Sequence, residues 1–146
     1  MERRFDQQLD DLKHDLLKMG GAVEESIAQA VRSLVERDDE LVKEVIAGGK
    51  KIDEWEIMIE ETCLRLLETQ GPVASDLRLL ACMMKVNDDL ERINDQAVNI
   101  AQRAEVLNTM PLLKPLIDIP RMSQLAQGMV KDALDAFGRR DVDLAR

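Results

Sequence analysis

Four carboxylates lie close together in the segment NDDLERINDQAVNIAQR, residues 87–103: Asp88, Asp89, Glu91 and Asp95. On an α-helix, Asp88, Glu91 and Asp95 share one face, whereas Asp89 points elsewhere. Carboxylates separated by four residues, such as Glu91 and Asp95, can both reach one ion. A set of oxygen ligands suits Mg²⁺, Ca²⁺, Mn²⁺ or ferric iron better than zinc or copper. The pattern predicts a candidate site for a hard cation.

One helix supplies two or three ligands at most, so a second element must complete such a site. Asp53, Glu56 and Glu60 share a face of the preceding predicted helix and are the candidates for further ligands. A second interpretation stays open at this point. The acids on residues 87–103 could form a water-exposed stripe that Arg92 and Arg103 partly screen.

The composition is typical of a helical bundle built from aliphatic side chains. The chain of 146 residues has no Tyr, one Trp and two Phe, together with few Gly and Pro. A chain of this length buries about two-thirds of its unfolded surface, so it needs no disulfide to fold. We expect an all-α protein and exclude a β-rich fold.

The formal net charge of −9 opposes binding to phosphate backbones or anionic headgroups, and no run of Lys and Arg exceeds two residues. No apolar stretch approaches the length of a membrane span, and the amino terminus lacks the apolar region of a signal peptide. We therefore expect no nucleic-acid partner, no membrane insertion and a cytoplasmic location. Cys63 and Cys82 are expected to be small core residues in a reducing compartment.

Apolar residues recur at spacings of three and four along most of the chain, which predicts long amphipathic helices. The third helix is apolar almost all round in its first half, as expected for the central helix of a bundle. A segment with three prolines separates the third and fourth helices. The predicted elements are helices over residues 5–36, 38–68 and 72–106, a connector over 108–120 and a fourth helix from Arg121 onward.

Two glycine pairs interrupt these helical patterns. Gly20 and Gly21 lie in the middle of the first helix, where two glycines cost about 2 kcal/mol of helix stability. They predict a close helix contact or a bend that packing holds in place. Gly48 and Gly49 could mark a bend or a break in the second helix.

The fourth helix resembles the first when the sequence is shifted by 103 positions. Arg37 then aligns with Arg140 and Asp38 with Asp141, and the apolar positions stay in step. This indicates an internal repeat, so residues 1–107 form one three-helix bundle and residues 121–146 hold the first helix of an incomplete second one. The apolar face of that helix favours an oligomer.

Two motifs on the third helix, PVASDLRLL (72–80) and DLERINDQAVNIA (89–101), resemble the signature of the PhoU family of bacterial phosphate-uptake regulators. The segments MGGAVEESIAQAV (19–31) and VIAGGKKIDEWEIMIEETCLRLL (45–67) are similar to that family's first two helices. The resemblance spans essentially the whole chain. It implies two tandem three-helix bundles, of which this chain lacks the last two helices.

The resemblance also implies a metal motif at Glu91 and Asp95, with Asp89 at a commonly acidic position. The implied cofactor is iron or another hard divalent or trivalent cation such as Mn²⁺ or Mg²⁺, with zinc less favoured, and some relatives bind none. Asn94 stands where the family usually has Gly. We expect its side chain to restrict the approach of a second helix.

The function implied by the resemblance is negative regulation of phosphate uptake and phosphate-starvation signalling, without catalysis. The implied partners are the ATPase subunit of the phosphate ABC transporter and the phosphate-sensing histidine kinase, with a homodimer as the oligomeric state. Bound metal would reverse the local charge and change which partner docks.

Two alternatives belong to other classes of protein. A ferritin-like di-iron protein also uses inward acids in a helical bundle, but it needs two Glu-x-x-His pairs and this chain has only His14. We expect His14 to lie on a helix surface. A purely structural helical scaffold is the other alternative, although it explains neither the proline-rich connector nor the clustered acids.

Overall fold

The computed structural model describes residues 2–146 and contains no β-strand within them. The all-α prediction is confirmed. No helix in this part of the chain is long and apolar enough to cross a membrane. The elements in chain order are α1 (Glu2–Val35), α2 (Asp39–Gln70), α3 (Ala74–Leu107), α4 (Asp118–Arg139) and α5 (Val142–Ala145).

Helices α1, α2 and α3 pack against one another around a core of aliphatic side chains, and α4 packs on the outside of α1. Helix α1 is therefore the central element. The prediction that α3 is central is wrong, since Leu77 and Ala81 in its first half are exposed. Leu12, Leu16 and Met19 of α1 are almost completely buried, because one stripe of α1 faces the bundle.

The turn between α2 and α3 follows the chemistry of its residues. Gly71 ends α2 with a φ of 50°, a left-handed conformation that residues with a side chain rarely adopt. Pro72 then follows outside the helix, and α3 begins at Ala74. This short turn places α2 and α3 antiparallel and side by side.

The turns after α1 and α4 share one geometry at the offset of 103 residues. Arg37 and Arg140 both have a left-handed backbone, with φ values of 53° and 55°. The amide of Asp38 donates to Ser33 O (3.0 Å), and the amide of Asp141 donates to Ala136 O (2.9 Å). In both turns the aspartate side chain then caps the next helix. This left-handed ending is common among helices, so the internal repeat stays a prediction.

The boundaries of the fourth helix differ from the prediction. Helix α4 begins at Asp118, so the connector is shorter than residues 108–120. Pro120 lies in its first turn, where a missing N–H is tolerated. The predicted helix over 121–146 is not continuous, since α4 ends at Arg139 and α5 starts at Val142.

Both glycine pairs lie inside unbroken helices, and one member of each pair faces a neighbouring helix. A Cβ atom at Gly20 would clash with the side chain of Leu134 on α4. A Cβ atom at Gly49 would lie 2.9 Å from Cγ2 of Val98 on α3. The close helix contact expected at Gly20 is therefore present, and the break considered for α2 is absent.

The two cysteines have different environments. Cys63 is buried in the core, where burial and the nearby Glu60 carboxylate raise the pKa of its thiol to about 11. Cys82 is exposed on α3, so the prediction of a core position is wrong for this residue. His14 lies exposed on α1, as expected.

Helix α4 carries an exposed apolar face. Met122, Leu125 and Met129 recur at helical spacing, and 61% or more of each side chain is exposed. An apolar groove of about 450 Å³ lies between α1, α3 and α4, with Ile100 and Leu107 of α3 among its lining residues. The bundle therefore leaves apolar surface uncovered on the side of α4.

Candidate metal centre

Three carboxylates from two helices converge on the surface of the bundle. Asp53 comes from the middle of α2, and Glu91 and Asp95 come from adjacent turns of α3. One side-chain oxygen of each residue lies within 4.8 Å of those of the other two. The antiparallel packing of α2 on α3 brings these residues together although they are distant in sequence.

Further acids surround Asp53, Glu91 and Asp95, which we call the triad. The pKa of Glu56 is raised, first by burial and then by the charges of Glu60, Asp88, Asp53 and Asp95. Each of these carboxylates is thus close enough to disfavour the ionised form of Glu56. We use the term acidic cluster for the six residues Asp53, Glu56, Glu60, Asp88, Glu91 and Asp95.

Glu91 has the strongest perturbation in the acidic cluster. Burial, a hydrogen bond to the Asp95 carboxylate and the charges of Asp95, Asp53 and Glu56 raise the pKa of Glu91 to about 7. Protonated Glu91 donates that hydrogen bond, which lowers the repulsion between carboxylates. Near neutral pH the metal-free cluster therefore holds a proton that an ordinary glutamate would have lost.

No lysine or arginine neutralises the acidic cluster within residues 2–146. The ion pairs of this part of the chain lie elsewhere, and the nearest in sequence joins Arg92 to Asp89 at 3.3 Å. Asp89 therefore lies outside the triad, as expected from its predicted position on another face of the helix. A cation is an electrostatic partner that could offset the repulsion in the cluster.

The triad fits a hard cation by both chemistry and size. A hard cation holds its oxygen ligands at about 2.1 to 2.4 Å, so neighbouring ligand oxygens lie about 3 to 3.5 Å apart and opposite ones about 4 to 5 Å apart. One oxygen of each triad residue lies within 4.8 Å of those of the other two, so all three can approach one ion. Asp53, Glu91 and Asp95 would hold the ion, and the remaining coordination positions face water. Histidine and cysteine contribute no ligand to the triad, which favours an oxygen-preferring cation.

The structure brings together three of the six predicted ligands. Asp53 joins Glu91 and Asp95, whereas Asp88, Glu56 and Glu60 lie in the surrounding acidic cluster without completing the triad. The second interpretation, a water-exposed acidic stripe, is compatible with the exposure of Asp53 and Asp95, but the expected screening by Arg92 is not seen. Arg92 pairs with Asp89 and not with the triad.

Two buried asparagines, which the sequence patterns above do not single out, lie among the core residues of α3. Asn87 is 2% exposed and donates from Nδ2 to the backbone oxygen of Glu56 at 2.9 Å. Asn94 is 1% exposed and packs opposite Gly49 of α2, so it does not keep the second helix away. The expectation that the Asn94 side chain restricts the approach of a second helix is wrong, because Gly49 leaves room for its amide. Positions 87 and 94 continue the spacing of the apolar core residues, which is the signal that would have identified them.

The fold and the acidic cluster define a class of protein: an acidic all-α bundle with a carboxylate centre between two helices. The PhoU domain family matches residues 16–104, which include the whole acidic cluster. The chain belongs to the PhoU family.

Curated relatives carry the same family name. The chain is 39% identical over 139 residues to a phosphate-specific transport system accessory protein PhoU homolog of Aquifex aeolicus, covering 95% of this chain and 63% of the relative. It is 38% identical over 146 residues to the homolog of Pseudomonas putida, covering 99% of this chain and 57% of the relative. It is 33% identical to PhoU of Escherichia coli, covering 97% and 59%. The chain thus spans about three-fifths of the length of these relatives.

A solved structure confirms the fold. The crystal structure of PhoU from Pseudomonas aeruginosa superposes on this chain with a TM-score of 0.91 at 38% sequence identity. The match covers 96% of this chain and 68% of the other. The PhoU-like bundle expected from the sequence is therefore confirmed.

Proposed function

We propose that this protein is an accessory regulator of phosphate transport. Membership of the PhoU family and the names of the curated relatives support this role. The proposed action is negative regulation of phosphate uptake and phosphate-starvation signalling. The protein would act in the cytoplasm as a non-enzymatic adaptor between the ATPase subunit of the phosphate ABC transporter and its sensor histidine kinase.

We further propose that partner binding depends on a bound cation. The supporting observation is the convergence of Asp53, Glu91 and Asp95 within 4.8 Å. The cluster lies on the surface, where two of the triad members are exposed. An ion there would replace a strongly negative patch by a less negative or neutral one. Such a change in charge alters which partner surface is complementary to α2 and α3.

Co-purification tests the adaptor role directly. The chain is tagged and mixed with the transporter ATPase subunit or with the cytoplasmic part of the histidine kinase, at high and low phosphate, with Mn²⁺ or with chelator. We expect both partners to be retained, with retention that depends on Mn²⁺. Loss of retention for both partners under all conditions would exclude the adaptor role for this chain.

Metal titration tests the site itself. We expect Mn²⁺ or ferrous iron to bind the wild type and to quench the fluorescence of Trp55, which is two residues from Asp53 in the sequence of α2. Asp95→Asn replaces a charged ligand oxygen by a neutral amide oxygen and should weaken binding by about ten- to hundredfold. Asp89→Asn is the matched control, since Asp89 pairs with Arg92 outside the triad. Equal binding by the wild type and Asp95→Asn would contradict the site.

For the oligomeric state we propose a homodimer. The exposed apolar face of α4, with Met122, Leu125 and Met129, supports association. Light scattering on the chain should give twice the monomer mass, and Met129→Lys should lower it toward the monomer. A monomer at high protein concentration would contradict the homodimer without affecting the metal site.

A further inference from the structure

The buried residues of α3 follow a heptad pattern with two polar members. Their spacing alternates between three and four residues, as in the core of a coiled coil. Asn87 and Asn94 occupy equivalent positions one heptad apart, where the other members are aliphatic or Met. The buried residues of α3 are Leu80, Met83, Asn87, Leu90, Asn94, Ala97, Ala101 and Ala104.

Asn87 connects α3 to α2 by a hydrogen bond that depends on register. Its Nδ2 donates to the backbone oxygen of Glu56 at 2.9 Å. Glu56 occupies a position in the repeating pattern of core residues of α2, between the buried residues Ile52 and Ile59. A shift of α3 along α2 breaks this hydrogen bond and leaves a buried amide without its partner.

Asn94 of α3 packs against Gly49, a position of α2 without a side chain. Its Nδ2 would lie 3.4 Å from a Cβ atom at Gly49, and neither of its amide atoms has a hydrogen-bond partner. One heptad toward the start of α2, Val42 would occupy this space. The amide of Asn94 is therefore accommodated in the observed register and would be crowded by apolar side chains in a shifted one.

These two polar positions lie on either side of the pair Asp53 and Glu91, and Asp95 directly follows Asn94. Along α2 the order is Gly49, Asp53, Glu56, and along α3 the opposing residues are Asn94, Glu91, Asn87. The contact of Asn94 with Gly49 is thus about one turn from Asp53 on one side, and the Asn87 hydrogen bond is about one turn away on the other. A shift by one heptad displaces the helices by about 10 Å, which would separate Asp53 from Glu91.

We propose that Asn87 and Asn94 are positioning residues that fix the register of α2 against α3, so that Asp53 meets Glu91 and Asp95. A polar residue at a core position sets register because it penalises the alternatives. The effect on cation binding rests on the proposed metal site, whereas the effect on register does not.

The test replaces each asparagine by leucine, singly and together, in the full chain. Register is measured without metal as the distance between a spin label on the native, exposed Cys82 of α3 and one on Glu44→Cys of α2. The wild type should give one distance. Asn87→Leu with Asn94→Leu should broaden it or shift it by about 10 Å. Met83→Leu is the control for a volume-conserving core change, and it should keep the wild-type distance.

Mn²⁺ affinity is measured on the same variants without labels. We expect the double leucine variant to bind about ten- to hundredfold more weakly and to unfold at a higher temperature than the wild type, because two buried polar groups are gone. A double variant that keeps the single wild-type distance overturns the proposal, whatever its affinity. If a leucine variant fails to fold by circular dichroism, the alanine variant at that position is measured in its place.

The two proposals fail separately. If the wild type binds no Mn²⁺, the metal site is wrong, and the spin-label distances alone decide the register proposal. If the wild type binds Mn²⁺ and the double variant keeps both its affinity and its distance, the metal site stands and the register proposal is overturned.

Discussion

Leu134 of α4 packs over Gly20 of α1, in the space that a Cβ atom at Gly20 would occupy. The helices approach closely at this point because Gly20 has no side chain. The same contact buries Leu134, although neighbouring apolar residues of α4 such as Met129 remain exposed. Gly20 is thus a main determinant of where α4 packs on the bundle.

Gly20→Ala should therefore loosen α4. Overpacking of this kind costs about 1 to 3 kcal/mol, and α4 should become more sensitive to proteolysis than α1. Gly21→Ala is the matched control, since no atom lies within 4 Å of a Cβ there. It should stabilise by up to about 1 kcal/mol through helix propensity. Urea unfolding of both variants measures the difference, and equal stabilities would contradict the packing role.

Arg37 and Arg140 form a second matched pair. The Arg37 guanidinium donates to the backbone oxygens of Leu107, Asn108 and Met110 at the end of α3. Both arginines have the same left-handed backbone, so replacement by Ala carries the same conformational penalty at each. Arg37→Ala should lose about 0.5 to 1.5 kcal/mol more than Arg140→Ala, because the hydrogen bonds of this exposed side chain are lost only at Arg37. Equal thermal midpoints for the two variants would show that these hydrogen bonds add nothing.

The stability of the metal-free protein should fall as pH rises toward neutrality. The pKa of Glu91 is about 7 in the folded state against an ordinary 4.5, so the folded protein binds a proton that the unfolded chain has released. The contribution of Glu91 to the free energy of unfolding therefore decreases from about pH 4.5 to about pH 7 and is constant above. Urea unfolding with chelator between pH 5 and 8 measures this slope.

Asp95→Asn isolates the cause of that pH dependence. Without the Asp95 charge and the hydrogen bond it accepts, the pKa of Glu91 should move back toward its ordinary value, and the slope should flatten. Asp89→Asn should keep the wild-type slope, since Asp89 is not among the groups that perturb Glu91. An unchanged slope in Asp95→Asn would place the origin of the pH dependence elsewhere.

Gly49→Ala probes the contact between α2 and α3 next to the triad. The added Cβ would lie 2.9 Å from Val98 Cγ2 and 3.4 Å from Asn94 Nδ2, so these side chains must move. We expect a loss of about 1 to 3 kcal/mol, whereas Gly48→Ala, with nothing within 4 Å, should be neutral or stabilising. Stability of Gly49→Ala above the wild type would show that the helices separate freely here.

Much of the local structure could be predicted from the spacing of residues. The 3.6-residue period placed Glu91 and Asp95 on one face of α3, and the turn residues Gly71 and Pro72 marked the end of α2. Boundaries were less accurate where chemistry is permissive, as at Pro120, which a first helical turn tolerates. The exposure of Cys82 was missed because an apolar stretch does not reveal which side of a helix is covered.

The sequence by itself determined that this protein is an acidic all-α bundle, that Glu91 and Asp95 can reach a common ligand, and that Arg37-Asp38 and Arg140-Asp141 occupy equivalent positions in two similar helical patterns. These properties follow from helical periodicity and local hydrogen bonding, which act over a few residues. Only the tertiary structure decided that Asp53 completes the triad and that α1 is the central helix. Those outcomes depend on the register and packing of helices that are distant in sequence, which no local pattern specifies.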